Sequence, residues 1–215
     1  MGPGYRESTE SWAEVLRDLG ARGLQAPLPA IGDGVLALWA ALDKVFPTTE
    51  HQRCWDHRVL NVQTRLPKRL QPEARRRLRE MAYAETQAAC EELRDRYVAD
   101  LRLADQHPAA ETVLRDWEDF VTFYHYPKEH WTHLRTTDPL ESVFGGVRLR
   151  TDAARRLRRR DNALYLVFKI VERLSENWRT LNGGANLMAL VMSGCSFKDG
   201  LIQRQQTRQL VGMPT

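Results

Sequence analysis

Two carboxylates stand where their spacing could serve phosphoryl or metal chemistry. Asp33 lies between Gly32 and Gly34, just after the short apolar stretch Ala26-Pro27-Leu28-Pro29-Ala30-Ile31. That stretch reads as a strand closed by a tight turn, and open α/β sheets place their sites at strand ends. The flanking glycines leave room for a metal ion or a phosphate close to the backbone. Asp33 also reads as a cap for the helix that follows, and both readings stand. Glu141 lies in Asp138-Pro139-Leu140-Glu141. This is a helix-start pattern: Asp138 as N-cap, proline at the first helical position, and Glu141 closing a capping box. Gly145 and Arg148 follow Glu141 at i+4 and i+7, on the same helical face. A carboxylate, a gap and a cation there make space for a metal ion with a phosphate beside it.

Cys54-Trp55-Asp56-His57 is a C-x-x-H, with His51 three residues earlier. Cysteine and histidine at short spacing are zinc ligands, but a structural site takes four, and no second close pair follows. Cys54 and His57 therefore read as a strand-end pair that packs and hydrogen-bonds near the site. The densest charge is Arg155-Arg156-Leu157-Arg158-Arg159-Arg160, with no acid between Asp152 and Asp161. Charge runs commonly form solvated faces. Guanidinium forks also suit phosphate oxygens, so the block, with Arg148 and Arg150, is a candidate holder of a DNA backbone. A second basic stretch, Lys68-Arg69 with Arg75-Arg76-Arg77 and Arg79, reads as an exposed helix face. Trp131 and Arg135 lie in an aromatic, hydroxyl-rich run before Glu141. They read equally as a packed connector or as stacking and polar contacts to DNA ends.

These residues need elements to position them. Trp12, Val15, Leu16 and Leu19 make a helical stripe, with Ser8 at its start and Gly23 at its stop. A strand at Ala26–Ile31, a buried helix over Val35–Phe46 and a strand over His51–Trp55 follow. This is the order of an α/β sheet. From Asp56 to Arg135 only helices are expected. Their stripes are Leu93-Tyr97-Leu101 and Val113-Leu114-Trp117-Phe120-Val121-Tyr124, with breaks at Pro67, Pro72, Pro108 and Pro127. Two helices follow with expected buried stripes, Leu140-Val143-Phe144-Val147 and Leu164-Val167-Phe168-Val171-Leu174-Trp178. The stretch after Ser196 is polar, with weak periodicity. Four segments result: 1–56, the partial sheet with Asp33; 57–135, a helical insertion; 136–182, the return with Glu141 and the basic helix; and 183–215, a helical or flexible tail.

The chain has 215 residues, 32 basic against 28 acidic, and 28% charged residues. That is an ordinary globular composition. The net charge of +4 permits a nucleic-acid partner without requiring one. No apolar run suits a membrane span or a signal peptide. Three widely spaced cysteines do not suggest a disulfide framework, and a reducing cytoplasm is the simplest home.

Taken in order and at these distances, four motifs resemble the mutator-type transposases of bacterial insertion sequences. They are Gly32-Asp33-Gly34, Cys54-Trp55-Asp56-His57, His130 through Ser142, and Val147-Arg148-Leu149-Arg150-Thr151. The resemblance runs from Gly4-Tyr5-Arg6-Glu7-Ser8 to about Gly200. It implies an α/β, predominantly helical fold: part of a ribonuclease-H-like core with an all-α insertion between the second and third acids of a DDE triad. Asp33 matches the second acid, Glu141 the third, and Cys54 and His57 the C-x-x-H of the family. Two Mg²⁺ or Mn²⁺ ions are implied for the full-length enzyme. The implied partners are DNA at element ends and target sites and further copies of the chain, and the implied location is the nucleoid-associated cytoplasm of a bacterium.

One departure is visible. The first Asp of the family precedes the stretch matching Gly4-Tyr5-Arg6-Glu7-Ser8, where only Met1-Gly2-Pro3 stands here. Asp18 and Asp43 fall inside expected helices and do not replace it. The expectation is a C-terminal portion of a transposase, inactive alone. The alternatives are a DNA-binding or dimerising remnant without catalysis, and a decay product.

Overall fold

The computed structural model describes residues 8–153 and 159–203. The chain opens with helix α1 (Thr9–Ala21), strand β1 (Pro29–Gly32), helix α2 (Leu36–Val45) and strand β2 (Glu50–Arg53). Ser8 caps α1, its side chain accepting the Ser11 N–H at 3.3 Å. At the other end the Leu24 N–H reaches back to the Leu19 carbonyl at 2.9 Å, closing the helix where Gly23 predicts it. The strands pair in parallel, Pro29 opposite Glu50 and Gly32 opposite Arg53, with α2 as the crossover. Ala13, Ala41 and Leu42 are buried, and Trp39 is buried over the strands, its ring stacked on His51 and close to Gly32. The fold is α/β and predominantly helical, as the sequence implies.

The helical region follows: α3 (Trp55–Gln63), α4 (Gln71–Ala82), α5 (Gln87–Leu103), α6 (His107–Leu114), α7 (Glu118–Val121) and α8 (Trp131–Leu134). Among the described residues it contains no strand. The stripe from Val113 to Tyr124 is buried as its spacing predicts, with Val113, Phe120, Val121 and Tyr124 at 2% exposure or less. It is not one helix, however. Arg115 is extended and Asp116 takes a left-handed φ of 51°, which ends α6 before α7 begins. Trp55, Trp117, Phe120, Phe123, Tyr124 and Trp131 then pack edge to face around one core.

A seam of buried polar contacts ties this region to β2. Gln52 is wholly buried, accepting the Phe123 N–H at 2.7 Å and donating to the Phe120 carbonyl at 3.3 Å. The Trp55 indole N–H donates to the same carbonyl at 3.0 Å, and the Thr122 hydroxyl to the His51 carbonyl at 2.7 Å. Buried groups of this kind must be paired.

Helices α9 (Asp138–Ala153) and α10 (Arg160–Ser175) pack against each other, and α11 (Gly184–Met192) and a hairpin of β3 (Phe197–Lys198) and β4 (Leu201–Ile202) follow. At Gly146 a Cβ would sit 3.1 Å from Leu174, so the bare glycine permits the α9–α10 approach. The stripes expected to be buried here are corrected. Leu140, Phe144, Phe168 and Trp178 are 54%, 51%, 44% and 60% exposed, because among the described residues no further layer covers that side. The polar stretch after Ser196 is tied down. Phe197 is buried, and Asp199 accepts the Gln87 N–H at 2.7 Å, at the start of α5. No helix among the described residues is long and apolar enough to cross a membrane.

Two stability predictions follow. Gln52→Leu keeps the bulk but leaves the buried Phe123 N–H unpaired, and costs about 1–3 kcal/mol in urea melts; an unchanged midpoint contradicts the seam. The second concerns Glu50, which faces the His125 Nδ1 at 3.6 Å and accepts from the Tyr126 hydroxyl at 2.6 Å. Hydrogen bonding with His125 lowers Glu50, and the same contact raises His125. The His125 contribution is full below the unfolded histidine value of ~6.5 and is lost as pH rises through its raised folded value. The Glu50 contribution is lost at the acid end, as pH falls through its lowered folded value. Both groups are about half exposed, so His125→Gln destabilises by only ~0.5 kcal/mol at pH 6, and by less at pH 9. Equal losses at both pH values contradict the pairing.

Candidate active site

Asp33 follows the last residue of β1, in the turn into α2, and is exposed. Its Oδ1 accepts the Val35 N–H at 3.2 Å, an Asx turn that orients the carboxylate while leaving acceptor capacity. The residue beside the helix is Val35, so Asp33 caps the turn and not the helix itself. Gly34 has φ +96°, and a Cβ there would collide with the Arg53 guanidinium, whose Nη2 donates to the Asp33 carbonyl at 3.1 Å. A side chain at position 34 would disturb both the turn and Arg53.

Cys54 joins this strand end to the helix that carries Glu141. Its N–H donates to the Gly32 carbonyl at 2.7 Å, immediately before Asp33. Its Sγ lies 3.4 Å from both the Thr137 backbone nitrogen and the Thr137 Oγ1. Thr137 Oγ1 is in turn 3.0 Å from Glu141 Oε1. The hydroxyl holds one proton. With that proton on Glu141, the chain is completed by the Cys54 thiol donating to Oγ1 while its sulfur accepts the Thr137 N–H. The next residue, Trp55, donates its N–H to the Arg135 carbonyl at 2.9 Å. Cys54 is 1% exposed, so the chain starts from a buried sulfur and ends at the exposed Glu141 carboxylate.

The start of α9 is one residue earlier than the capping pattern predicts. The Thr137 carbonyl accepts the Glu141 N–H at 3.0 Å, the first intrahelical bond, which makes Thr137 the cap and Asp138 the first helical residue. Glu141 bonds the cap hydroxyl and is otherwise exposed. A Cβ at Gly145 would meet nothing within 4 Å, and Arg148 is exposed. The open face of carboxylate, gap and cation is therefore present.

Asp56, in the first turn of α3, adds a third acid. Burial raises its carboxyl above the usual range, and the nearby Asp138 and Glu141 carboxylates push in the same direction. A cavity of about 100 Å³ lies here, lined in part by Asp56, Arg79, Tyr83, Arg135 and Asp138. Among the described residues, no three histidine, cysteine or carboxylate side chains converge in a metal-holding arrangement.

The remaining sequence candidates divide. His57 is half-buried, and its Nδ1 is buried without a hydrogen-bond partner. Trp131 is corrected: it is 1% exposed and donates its indole N–H to the Tyr126 carbonyl at 2.9 Å, so its ring faces are spent on the core. Arg135 is corrected with it. Its guanidinium lies 4.7 Å from the ring centre of Tyr83, 5.0 Å from Phe123 and 5.3 Å from Trp131, and burial lowers its pKa. Both side chains belong to the packed connector. Arg150 is exposed, its Nη1 3.4 Å from the Gly146 carbonyl. Arg159 is exposed just before α10, and Arg160 begins that helix. Arg155, Arg156 and Arg158 lie outside the described residues. In the second basic stretch, Arg76 and Arg77 pair with Glu73, Glu80 and Asp100 on an exposed helix face.

Sequence reasoning missed Thr137 and Asp56. Thr137 was legible as a hydroxyl just before the Asp-Pro, in the position of a cap. Asp56 sits inside the C-x-x-H itself.

The comparisons with known proteins agree with the motif order. The model of the mutator family of transposases matches residues 2–180. The transposase for insertion sequence element IS6120 of Mycolicibacterium smegmatis is 41% identical over 204 residues, covering 95% of this chain and 62% of that protein. The transposase for element IST2 of Acidithiobacillus ferrooxidans is 40% identical over 203 residues, covering 94% and 68%. That for element ISRM5 of Rhizobium meliloti (strain 1021) is 27% identical over 184 residues, covering 85% and 46%. The chain thus spans about two thirds of the length of the first two relatives. It belongs to the mutator family of transposases.

Proposed function

We propose that these 215 residues supply the second and third acids, Asp33 and Glu141, of a ribonuclease-H-like DDE site that cuts and joins DNA strands of an insertion sequence. The observation that carries the reading is the hydrogen-bond chain from Gly32 through Cys54 and Thr137 to Glu141, which ties the Asp33 turn and the Glu141 helix start to one buried residue. The parallel β1–α2–β2 unit, the helical region and the returning acidic helix support such a core. On this reading the protein acts on DNA at element ends and target sites, as a homo-oligomer in the bacterial cytoplasm.

Phosphodiester cleavage needs an attacking oxygen, a stabilised leaving oxygen and a neutralised phosphorane. A pair of divalent ions, Mg²⁺ or Mn²⁺, supplies these when bound ~3.5–4 Å apart. Asp33 and Glu141 fit such ions in part. Both are exposed, each spends one oxygen on a local hydrogen bond, and hard cations take carboxylate oxygens. A cation would also relieve the crowding of Asp56, Asp138 and Glu141. The donor set is short of a full site, since no three such side chains converge among the described residues. The family resemblance assigns that ligand to an acid preceding the stretch that matches Gly4–Ser8. Thr137 and Cys54 hold the Glu141 carboxylate, the Asx turn holds Asp33, and Arg148 offers a cation two turns along the same helical face.

A second reading, a DNA-binding or dimerising remnant without catalysis, is favoured by the exposed apolar side chains of α9 and α10. Activity separates the two. With Mg²⁺ or Mn²⁺ the purified 215-residue chain does not nick element-end DNA. A longer protein carrying the upstream acid does, and Glu141→Gln or Asp33→Asn lowers its rate at least about 100-fold, roughly 3 kcal/mol of barrier. Nicking by the 215-residue chain that Glu141→Gln abolishes contradicts the missing-acid account. A longer protein indifferent to both substitutions contradicts the site.

A further inference from the structure

A second concave site lies at the end of β2 and along α3, where Arg53, Arg58, Arg65 and Arg115 meet with Asn61, Thr64 and Thr112 around a cavity of about 110 Å³. Arg58 is 96% buried by its 4% exposure, yet no carboxylate pairs with it among the described residues. Its Nη2 donates to the Arg115 carbonyl, and its guanidinium lies 3.7 Å from the Phe120 ring centre. Arg53 is bonded to Asp116 and to the Asp33 carbonyl, and its buried Nε has no partner. Arg65 and Arg115 are exposed and make no ion pair among the described residues. The facing acids are Asp116, already engaged by Arg53, and Asp119 nearby. A buried cation costs free energy unless an anion or dense hydrogen bonding compensates it. Here burial, with Arg53 and Arg115 nearby, pushes Arg58 down to about 9.

We propose that this arginine pocket holds one phosphate group of a DNA strand, flanking the strand position that reaches Asp33. The inference rests on the DNA reading above and assigns it a specific contact. Guanidinium forks converging on a small concave site match phosphate oxygens, and the hydroxyls of Thr64 and Thr112 and the Asn61 amide add polar contacts at its rim. Arg53 belongs to both places: one edge lines the pocket and Nη2 holds the Asp33 turn. A phosphate seated there would therefore share Arg53 with the turn that presents the carboxylate. The elements explain why the cluster forms. Arg58, Asn61 and Arg65 recur at i, i+3 and i+7 along α3 and its exit, and Arg115 is delivered by the break between α6 and α7.

The test uses the 215-residue chain with Arg65→Glu and Arg115→Glu together, both exposed positions, and compares binding of a short duplex across a salt series. A charge-matched control carries Arg22→Glu and Arg96→Glu, 68% and 64% exposed and outside the pocket. The proposal expects the pocket variant to lose about tenfold in affinity at low salt relative to the control, with a salt slope shallower by about 1. Equal affinity and slope in pocket variant and control overturn it. A wild-type chain that binds no duplex removes the DNA reading instead, and a second arm then decides on the pocket. Inorganic phosphate at matched ionic strength raises the melting temperature of wild type and control but not of the pocket variant if the pocket takes a free oxyanion. No phosphate-dependent rise, or one retained by the pocket variant, overturns the pocket itself.

Discussion

Cys54 is the constraint on which the arrangement of this chain depends. It is a small, polarizable side chain at the end of a strand, wholly enclosed, and it faces two elements at once. Through its backbone it holds the end of β1, next to Asp33; through its sulfur it holds Thr137, the cap of the helix bearing Glu141. The two acids are more than a hundred positions apart in sequence, and loop closure over that distance is an entropic cost met by the packing between them. A serine at position 54 would bring a shorter bond and a strongly polar hydroxyl into the same enclosure. Sulfur accepts weakly and packs as an apolar atom, which suits a junction that must be both dry and hydrogen-bonded.

The helical region makes that junction rigid. Gln52, Thr122 and the Trp55 indole turn the contact between β2 and the Phe120–Tyr124 segment into a set of specific pairings, so that segment has one register against the strand. The aromatic core then carries the chain through Trp131 and Arg135 to Thr137. Arg135 stacks on the rings of that core, and its backbone carbonyl accepts the N–H of Trp55. By contrast α9 and α10 expose large apolar side chains on the far side. The acid helix is thus fixed at its first turn, packed on α10 along one side, and exposed on the other.

Much of this was legible in residue order. The cap at Ser8, the stop near Gly23, the parallel strand pair and the strand-free stretch to Arg135 follow from periodicity and turn residues acting locally. The motif order identified the family because short spacings survive where a fold positions them. Burial was misjudged where it depends on what lies opposite. Leu140 and Phe144 have the spacing of a core face, but periodicity states only which residues share a side. Trp131 shows the converse: its sequence neighbourhood left a packed connector and a DNA contact equally open, and in space it closes the core. The arginine pocket was invisible for the same reason. Its members come from β2, α3 and its exit, α6 and the α6–α7 break, so no single periodic stripe contains them.

The clasp itself is tested most directly by amide hydrogen exchange on a Cys54→Ala chain. The sulfur anchors the Thr137 N–H, and the Thr137 carbonyl anchors the N–H groups of Leu140 and Glu141. Losing about 1 kcal/mol there predicts exchange about fivefold faster at Thr137, Leu140 and Glu141, with the Gln52-bound Phe123 amide unchanged. Unaltered exchange at those three amides, or an equal rise at Phe123, would contradict the account that Cys54 holds the acid helix to the strand end.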